Sequence, residues 1–367
     1  MAQLFESVPN FSEGRRQDVI AALGEAARKA HFLDEDADPD HNRLVISISG
    51  GRQLLADGLL ATVAEAVERI DVRQHTGVHP RVGAADVVPI VPLAEATLEA
   101  CRDLAHEVGH RIWDELKVPV FFYGHGERWR LADIRGGRAT PDVGGPPLHP
   151  TAGAVSVGAR PPLAAFNVIL YDTDVVAARA LARSIRETES GIRGVQALAF
   201  GLSGKRVQLS MNLFRLEETT PARLMAELER RGVATGAPQV VGLCPAFAAD
   251  RAAAHRVLEG RLAARGALIG HLRAVQLGTE EHLALAARLS RTADWLHDLD
   301  AGQDSFLEAA ERSAALVPVL RAGGVRDDEA ETYLRTAARG LRRAITPATE
   351  AVYRARVEAL DRRIAEG

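Results

Sequence analysis

Hydrophobic and polar residues alternate with a period of two along residues 43–49, RLVISIS, where Leu44, Ile46 and Ile48 share a face. The pattern returns along 206–214, RVQLSMNLF, with Val207, Leu209 and Met211. That spacing predicts half-buried strands. Elsewhere the period is helical: Ile20, Leu23 and Ala27 recur at i, i+3, i+7, and Leu59, Val63, Val67 and Ile70 mark a second buried stripe. Residues 4–10 read as a strand, and 32–36 as a short strand joined to RLVISIS through the polar turn ADPDHN. Residues 86–91 form a further strand after the second helix. The order is βαββαβ, extended by a helix over about 95–116 and the strand VPVFFYG at 118–124.

From residue 163 the same order recurs: strand LAAFNVILY, a helix over 174–188, strand VQALAFGL, a turn at Gly204 and strand RVQLSMNLF. A helix that Thr220 caps and Pro221 opens follows, then QVVGLCP at 239–245. Two successive βαββαβ runs predict an α/β (α+β) fold of two tandem ferredoxin-like split-βαβ subdomains, residues 1–160 and 161–245. The Gly- and Pro-rich residues 125–162 read as the link between them, long enough to carry function. After Pro245 the strand pattern stops. The stripes Leu285, Leu289, Leu296 and Tyr353, Val357, Leu360, Ile364 predict an all-α C-terminal extension over 246–367, with no reactive cluster. A chain ending near residue 250 is therefore expected to keep its catalytic groups.

Composition narrows the picture only a little. A length of 367 residues fits two or three compact units, and a net charge of -4 gives no global pull toward nucleic acid or an anionic membrane. No apolar run approaches the ~18 residues that span a bilayer, and the polar start lacks the apolar stretch of a secretory signal, so the cytoplasm is the expected location. Cys101 and Cys244 each sit in an apolar stretch without a CxxC spacing and read as buried, reduced thiols. Lys29, Lys117 and Lys205 are the only lysines among 45 basic residues, so arginine supplies nearly all the positive charge.

The densest chemistry lies in RQHTGVHPRVGAADV, residues 73–87, between a helix and a strand. Pro80 biases His79 toward extended backbone, and an imidazole with an ordinary pKa near ~6.5 can take and return a proton at neutral pH. The bland alternative is that His75 and His79 only cap the loop. Asp36, in LDEDADPDHNR (33–43), ends a strand at the same edge, where its carboxylate could orient the imidazole or steady a developing cation; an Asp-rich turn is equally what a solvated hairpin uses. His106-Glu107-Val108-Gly109-His110 matches the zinc motif HExxH. On its helix Leu98, Cys101, Ala105, Val108 and Ile112 define the buried face, so both histidines are expected to face water, and no metal is expected. In GGPPLHPTAGAVSVGARPPLAAFN (144–167), glycines that admit a ligand to the backbone mix with His149, Thr151, Ser156 and Arg160.

Taken together, SVPNFSEGR, LDEDADPDHNR, HTGVHPRVGAADVVPIVPL, HPTAGAVSVGAR and QVVGLCPA resemble the formiminotransferase domain of glutamate formimidoyltransferase and of formiminotransferase-cyclodeaminase, over residues 2–245. The resemblance implies transfer of a formimino group from N-formimino-L-glutamate to tetrahydrofolate, which is a co-substrate, in a cleft between two lobes of a homodimer. It implies that His79, in the HPR motif, is catalytic and that Asp36 assists it. It further implies substrate or folate contacts at Asn10, Arg81, His149, Thr151, Gly153, Ser156, Gly158 and Arg160. Thr76 and Val78 stand where similar chains carry Lys and Glu. That departure leaves two alternatives: a related transferase with another formimino donor or amine acceptor, or a folate-binding scaffold without turnover. The tail lacks the glycine-rich opening and the length of a cyclodeaminase domain, so no deaminase activity is expected.

Overall fold

A computed structural model describes residues 3–93 and 96–245, together with Ala248, Arg256, Leu258 and Arg261. Apart from those last four residues, the helical extension expected over 246–367 lies outside the described residues. The first half runs β1 (Phe5–Ser7), β2 (Asn10–Phe11), α1 (Gln17–Ala27), β3 (His31–Asp38), β4 (Arg43–Gly50), α2 (Arg52–Arg69) and β5 (Ala85–Pro92). It continues with α3 (Leu98–Leu116), β6 (Val120–Gly124), α4 (Leu131–Arg135) and β7 (Val155–Ala159). The single strand expected over 4–10 is two short strands, because Pro9 brings no N–H to the ladder; only its carbonyl pairs, accepting from Ile46 N at 3.0 Å.

Sheet order is β3, β4, then β1 and β2 side by side in sequence, then β5, β7 and β6. β5, β7 and β6 run parallel and the remaining pairs antiparallel. The stretch 125–162 is therefore more than a link. Its end, β7, inserts between β5 and β6, with Val155, Val157 and Ala159 in the core of the first half. Gly158 is required there, since a Cβ would meet the Tyr123 carbonyl oxygen at 1.8 Å.

The second half consists of β8 (Ala164–Leu170), α5 (Val175–Ile185), β9 (Val195–Gly201), β10 (Val207–Leu213), α6 (Pro221–Arg230) and β11 (Gln239–Val241). Its antiparallel sheet has the order β11-β8-β10-β9, so the two βαβ halves interleave. Asp174 caps α5 by accepting from Val176 N and Ala177 N, and Thr220 caps α6 by accepting from Arg223 N, with Pro221 in the first turn.

Each sheet buries one face under helices. Leu44, Ile46, Ile48, Val88 and Ile90 pack on Leu23 of α1, Leu59 and Val63 of α2, and Leu104 and Val108 of α3. Phe166, Val168, Leu209 and Met211 pack on Ala178, Ala182 and Ile185 of α5 and Leu224 and Leu228 of α6. Complete burial of side chains of this size contributes about 1.5–3 kcal/mol each. The opposite faces turn toward each other, and on the first sheet the short α4 packs there, Ile134 against Val87, Phe121 and Tyr123. Asn10, Arg43, Val45, Val87, Pro89 and Tyr123 of the first sheet and Asn167, Gln196, Ser210, Asn212 and Gln239 of the second line one cavity of about 690 Å³. Among the described residues, no helix is long and apolar enough to cross a membrane.

Candidate active site

The cavity exists because the β3–β4 turn of the first half docks on the β9–β10 turn of the second. Asp40 accepts from Ser203 Oγ and Arg206 Nη2, each at 2.5 Å, and His41 Nε2 lies 2.5 Å from Gln208 Oε1. Phe200 of β9 packs edge-on against His41, with ring centroids 5.1 Å apart, and His79 approaches both rings at 5.9 Å. Nothing in the sequence marks His41, since a histidine at a hairpin tip is unremarkable until the second sheet closes over it.

His79 is half-buried and lines the cavity. Its Nδ1 lies 2.8 Å from the Pro80 carbonyl oxygen. A carbonyl only accepts, so Nδ1 carries the proton and Nε2 holds the basic lone pair. Burial, together with the Arg43 and Arg135 guanidinium groups, pushes its pKa down to about 3. The ring is thus neutral at physiological pH. His75 is the loop-capping histidine: its Nε2 donates to the Asn42 carbonyl at 2.9 Å and its Nδ1 accepts from Arg81.

Beside His79 stands a buried ionic group. Asp86 is fully buried and receives Arg43 Nη1 at 2.9 Å, Arg135 Nη2 at 2.5 Å and the Val82 N–H at 2.7 Å. Burial pushes this carboxyl up, but the two guanidiniums and the N–H more than offset it and hold it below the usual carboxylate range. Two cations around one anion leave the wall with net positive charge. Arg130 and Arg160 also line the cavity. The sequence carries a usable signal for this group: Asp86 is a lone acid at the head of the apolar run VVPIV, and a buried acid in a strand needs a cationic partner. Nothing in the spacing identifies Arg43 and Arg135 as that partner.

Asp36 lines the cavity from β3, with Asp38 beside it. The expected orienting contact with His79 is absent among the described residues. Asp36 Oδ2 instead lies 3.2 Å from Arg256 Nη2, without an aligned hydrogen bond. Its pKa is raised, first by burial and then by the neighbouring carboxylates of Asp34 and Asp38, with Arg256 and the Gly242 N–H acting in the opposite direction. The cation facing Asp36 thus comes from beyond residue 250.

The remaining expected positions divide into two groups. Asn10 and Arg160 line the cavity; Asn10 Oδ1 accepts from Arg43 Nε at 3.0 Å, and Arg160 Nη1 donates to the Pro161 carbonyl at 3.0 Å. Arg81, His149, Thr151, Gly153, Ser156 and Gly158 are outside the lining. Arg81 donates to the carbonyls of Gly77 and His79 and so shapes the loop that carries His79. His149 Nδ1 accepts from Ala152 N at 3.0 Å, and the Thr151 carbonyl accepts from Val72 N at 2.8 Å. Gly153, at φ +71°, approaches Val82 so closely that a Cβ would sit 2.3 Å from its carbonyl oxygen. Ser156 and Gly158 belong to β7, in register with Val87 and Pro89 of the cavity wall.

The HExxH helix also departs from expectation. His110 is exposed, but His106 is half-buried, stacked on Phe122 with centroids 3.9 Å apart, and its Nε2 lies 2.7 Å from Glu127 Oε1. Phe122 comes from β6 and Glu127 from the turn after it, both remote in sequence, so the helical periodicity of α3 alone could not reveal them. Among the described residues no cluster of three or more His, Cys, Asp or Glu is placed to hold a metal.

Comparison with known proteins adds an independent line. The profile of the formiminotransferase domain, N-terminal subdomain, matches residues 4–160. A glutamate formimidoyltransferase of Streptococcus pyogenes serotype M1 is 36% identical over 272 residues, covering 68% of this chain and 91% of the relative. One from Thermoplasma acidophilum is 37% identical over 268 residues, covering 66% and 88%. The formimidoyltransferase-cyclodeaminase of Rattus norvegicus is 36% identical over 284 residues, of which this chain spans about half the relative's length, 52%.

Proposed function

The chain belongs to the formiminotransferase family, and from that premise we propose that it transfers the formimino group of N-formimino-L-glutamate to tetrahydrofolate in the cavity between the two sheets. The observation that carries the reading is a neutral His79 imidazole that lines one cavity together with Arg43, Arg135, Asp36 and Asp38. N-formiminoglutamate offers both kinds of group: a planar amidinium next to the α-carboxylate, and a γ-carboxylate at the far end of the side chain. Arg43, Arg135 and Arg160 suit the carboxylates, and Asp36 and Asp38 suit the amidinium.

In this mechanism the folate N5 attacks the formimino carbon, and a new C–N bond forms. His79 Nε2 takes the proton that N5 loses and returns it to the glutamate nitrogen as the tetrahedral adduct collapses, breaking the old C–N bond. Glutamate leaves as the free amine. One imidazole serves as base and then acid. Substrate carboxylates beside Arg43 and Arg135 offset the positive field that depresses the His79 pKa, so proton uptake becomes easier in the filled site. Tyr123, pushed up to about 12 by burial, remains a neutral hydroxyl able to donate to a ligand. Holding both substrates in register supplies much of the remaining rate enhancement.

A cytoplasmic homodimer working in one-carbon metabolism and histidine breakdown belongs to the same proposal, supported by the family and by the buried thiols of Cys101 and Cys244, which form no disulfide. The deciding experiment is turnover by the purified chain with N-formiminoglutamate and tetrahydrofolate, followed as release of glutamate. Stoichiometric glutamate release that requires tetrahydrofolate is expected; its absence at saturating substrates would overturn the reading.

A further inference from the structure

Arg256 is twelve positions past Cys244 in the chain, yet it faces the first sheet. Its backbone is fixed: the Cys244 N–H donates to the Arg256 carbonyl at 2.7 Å, and the Leu258 N–H donates to the Cys244 carbonyl at 2.9 Å. The side chain is fixed as well. Nη1 meets Asp34 Oδ2 at 2.5 Å, Nη2 lies 3.2 Å from Asp36 Oδ2, and Arg261 Nη2 meets the other Asp34 oxygen at 3.2 Å. One guanidinium fork thus spans two carboxylates that stand two residues apart on the same face of β3, a geometry that a lysine cannot reproduce.

We infer that Arg256 is a positioning residue for the transfer reaction, holding the Asp36 carboxylate at the cavity wall from the segment that follows the second sheet. The inference rests on the role proposed above for Asp36. The groups facing Asp36 are Asp34 and Asp38 on β3, Arg256, and the Gly242 N–H after β11, while its partner across the ladder on β4 is the neutral Val45. Arg256 is the cation among them. Without it, burial and two neighbouring carboxylates act on Asp36, and of the groups named here the Gly242 N–H remains to favour the ionised form. Asp36 would then take up a proton at higher pH and lose the charge that faces the amidinium. The segment past the second sheet is on this account part of the catalytic apparatus.

The test is the pH profile of kcat/KM in the full-length chain for Arg256→Gln, Arg256→Lys, Asp36→Asn and the Arg256→Gln, Asp36→Asn pair. Removing an opposite charge at this distance should move the acid limb up by about 1–3 pH units. Arg256→Lys should show a smaller shift in the same direction. In the Asp36→Asn background Arg256→Gln should add no further shift. Should Arg256→Gln fail to fold, the Arg256→Lys profile decides alone. An unchanged acid limb, or a shift that persists without Asp36, overturns the inference while leaving the role of Asp36 standing. Full activity of Asp36→Asn overturns the role of Asp36, and the inference with it.

Discussion

The two sheets that face each other across the cavity present opposite kinds of surface. The first carries charge: Glu6, Asp36, Asp38, Arg43 and Arg160 line it, with His79 and Arg135 beside them. The second carries uncharged amides and a hydroxyl, Asn167, Gln196, Ser210, Asn212 and Gln239. The difference teaches a division of labour. Proton transfer and charge stabilisation need titratable groups with shifted pKa values, and these are costly to bury, so they cluster where Asp86 can neutralise part of the arginine field. Neutral amides can hydrogen-bond a polar heterocycle without altering that field. On the proposed function, one half performs chemistry on a ligand that the other half helps to hold.

The sharpest way to break this comparison is His79→Ala, which should lower turnover roughly 10²–10⁴-fold with ligand binding nearly intact. Steady-state kinetics alongside ligand titration would show it. Next in size is Asp86→Ala. It strands two arginines in the wall and should destabilise the protein by about 3–5 kcal/mol, measured by denaturant unfolding. The pH sign follows from its depressed pKa. The Asp86 contribution is fully present above the unfolded carboxylate value of about 3.9 and is lost as pH falls through the lower folded value. Asp86→Asn should therefore remove part of the acid sensitivity of unfolding.

A smaller effect is expected on the second face. Asn212 is exposed to the cavity, so Asn212→Ala should leave stability within about 0.5 kcal/mol. Loss of a hydrogen bond worth about 0.5–1.5 kcal/mol should raise KM roughly two- to tenfold at unchanged kcat. Smallest of all is the paired change His106→Ala, His110→Ala on α3. It removes the stacking on Phe122 and the contact with Glu127, so stability should drop by only about 1 kcal/mol, with kcat unchanged and no zinc lost by elemental analysis.

Much of this arrangement can be read in the chain. The alternation at Leu44, Ile46 and Ile48 and at Val207, Leu209 and Met211 identifies the faces that become the two cores. Those faces leave Val45, Ser210 and Asn212 for the cavity side. His79, Asp36, Asn10 and Arg160, picked out by motif, all reach the cavity. What is not legible is pairing between remote segments. β7 joins β5 and β6 in parallel, a choice that its own residues do not encode, and this turns a presumed link into a sheet strand. Arg81, His149, Thr151 and Gly153 look like ligand contacts because polar and glycine-rich loops bind ligands. They lie outside the cavity lining, and most of their hydrogen bonds go to backbone of the same loops. The Arg43, Asp86 and Arg135 group spans three elements, and no local period connects its members.

The division between the two faces is tested most directly by single-turnover transfer at saturating substrates, comparing His79→Ala with Asn212→Ala. The account predicts a rate constant that falls roughly 10²–10⁴-fold in the first variant and stays at the unsubstituted value in the second. An unchanged rate constant in His79→Ala, or an equal loss in Asn212→Ala, would contradict it.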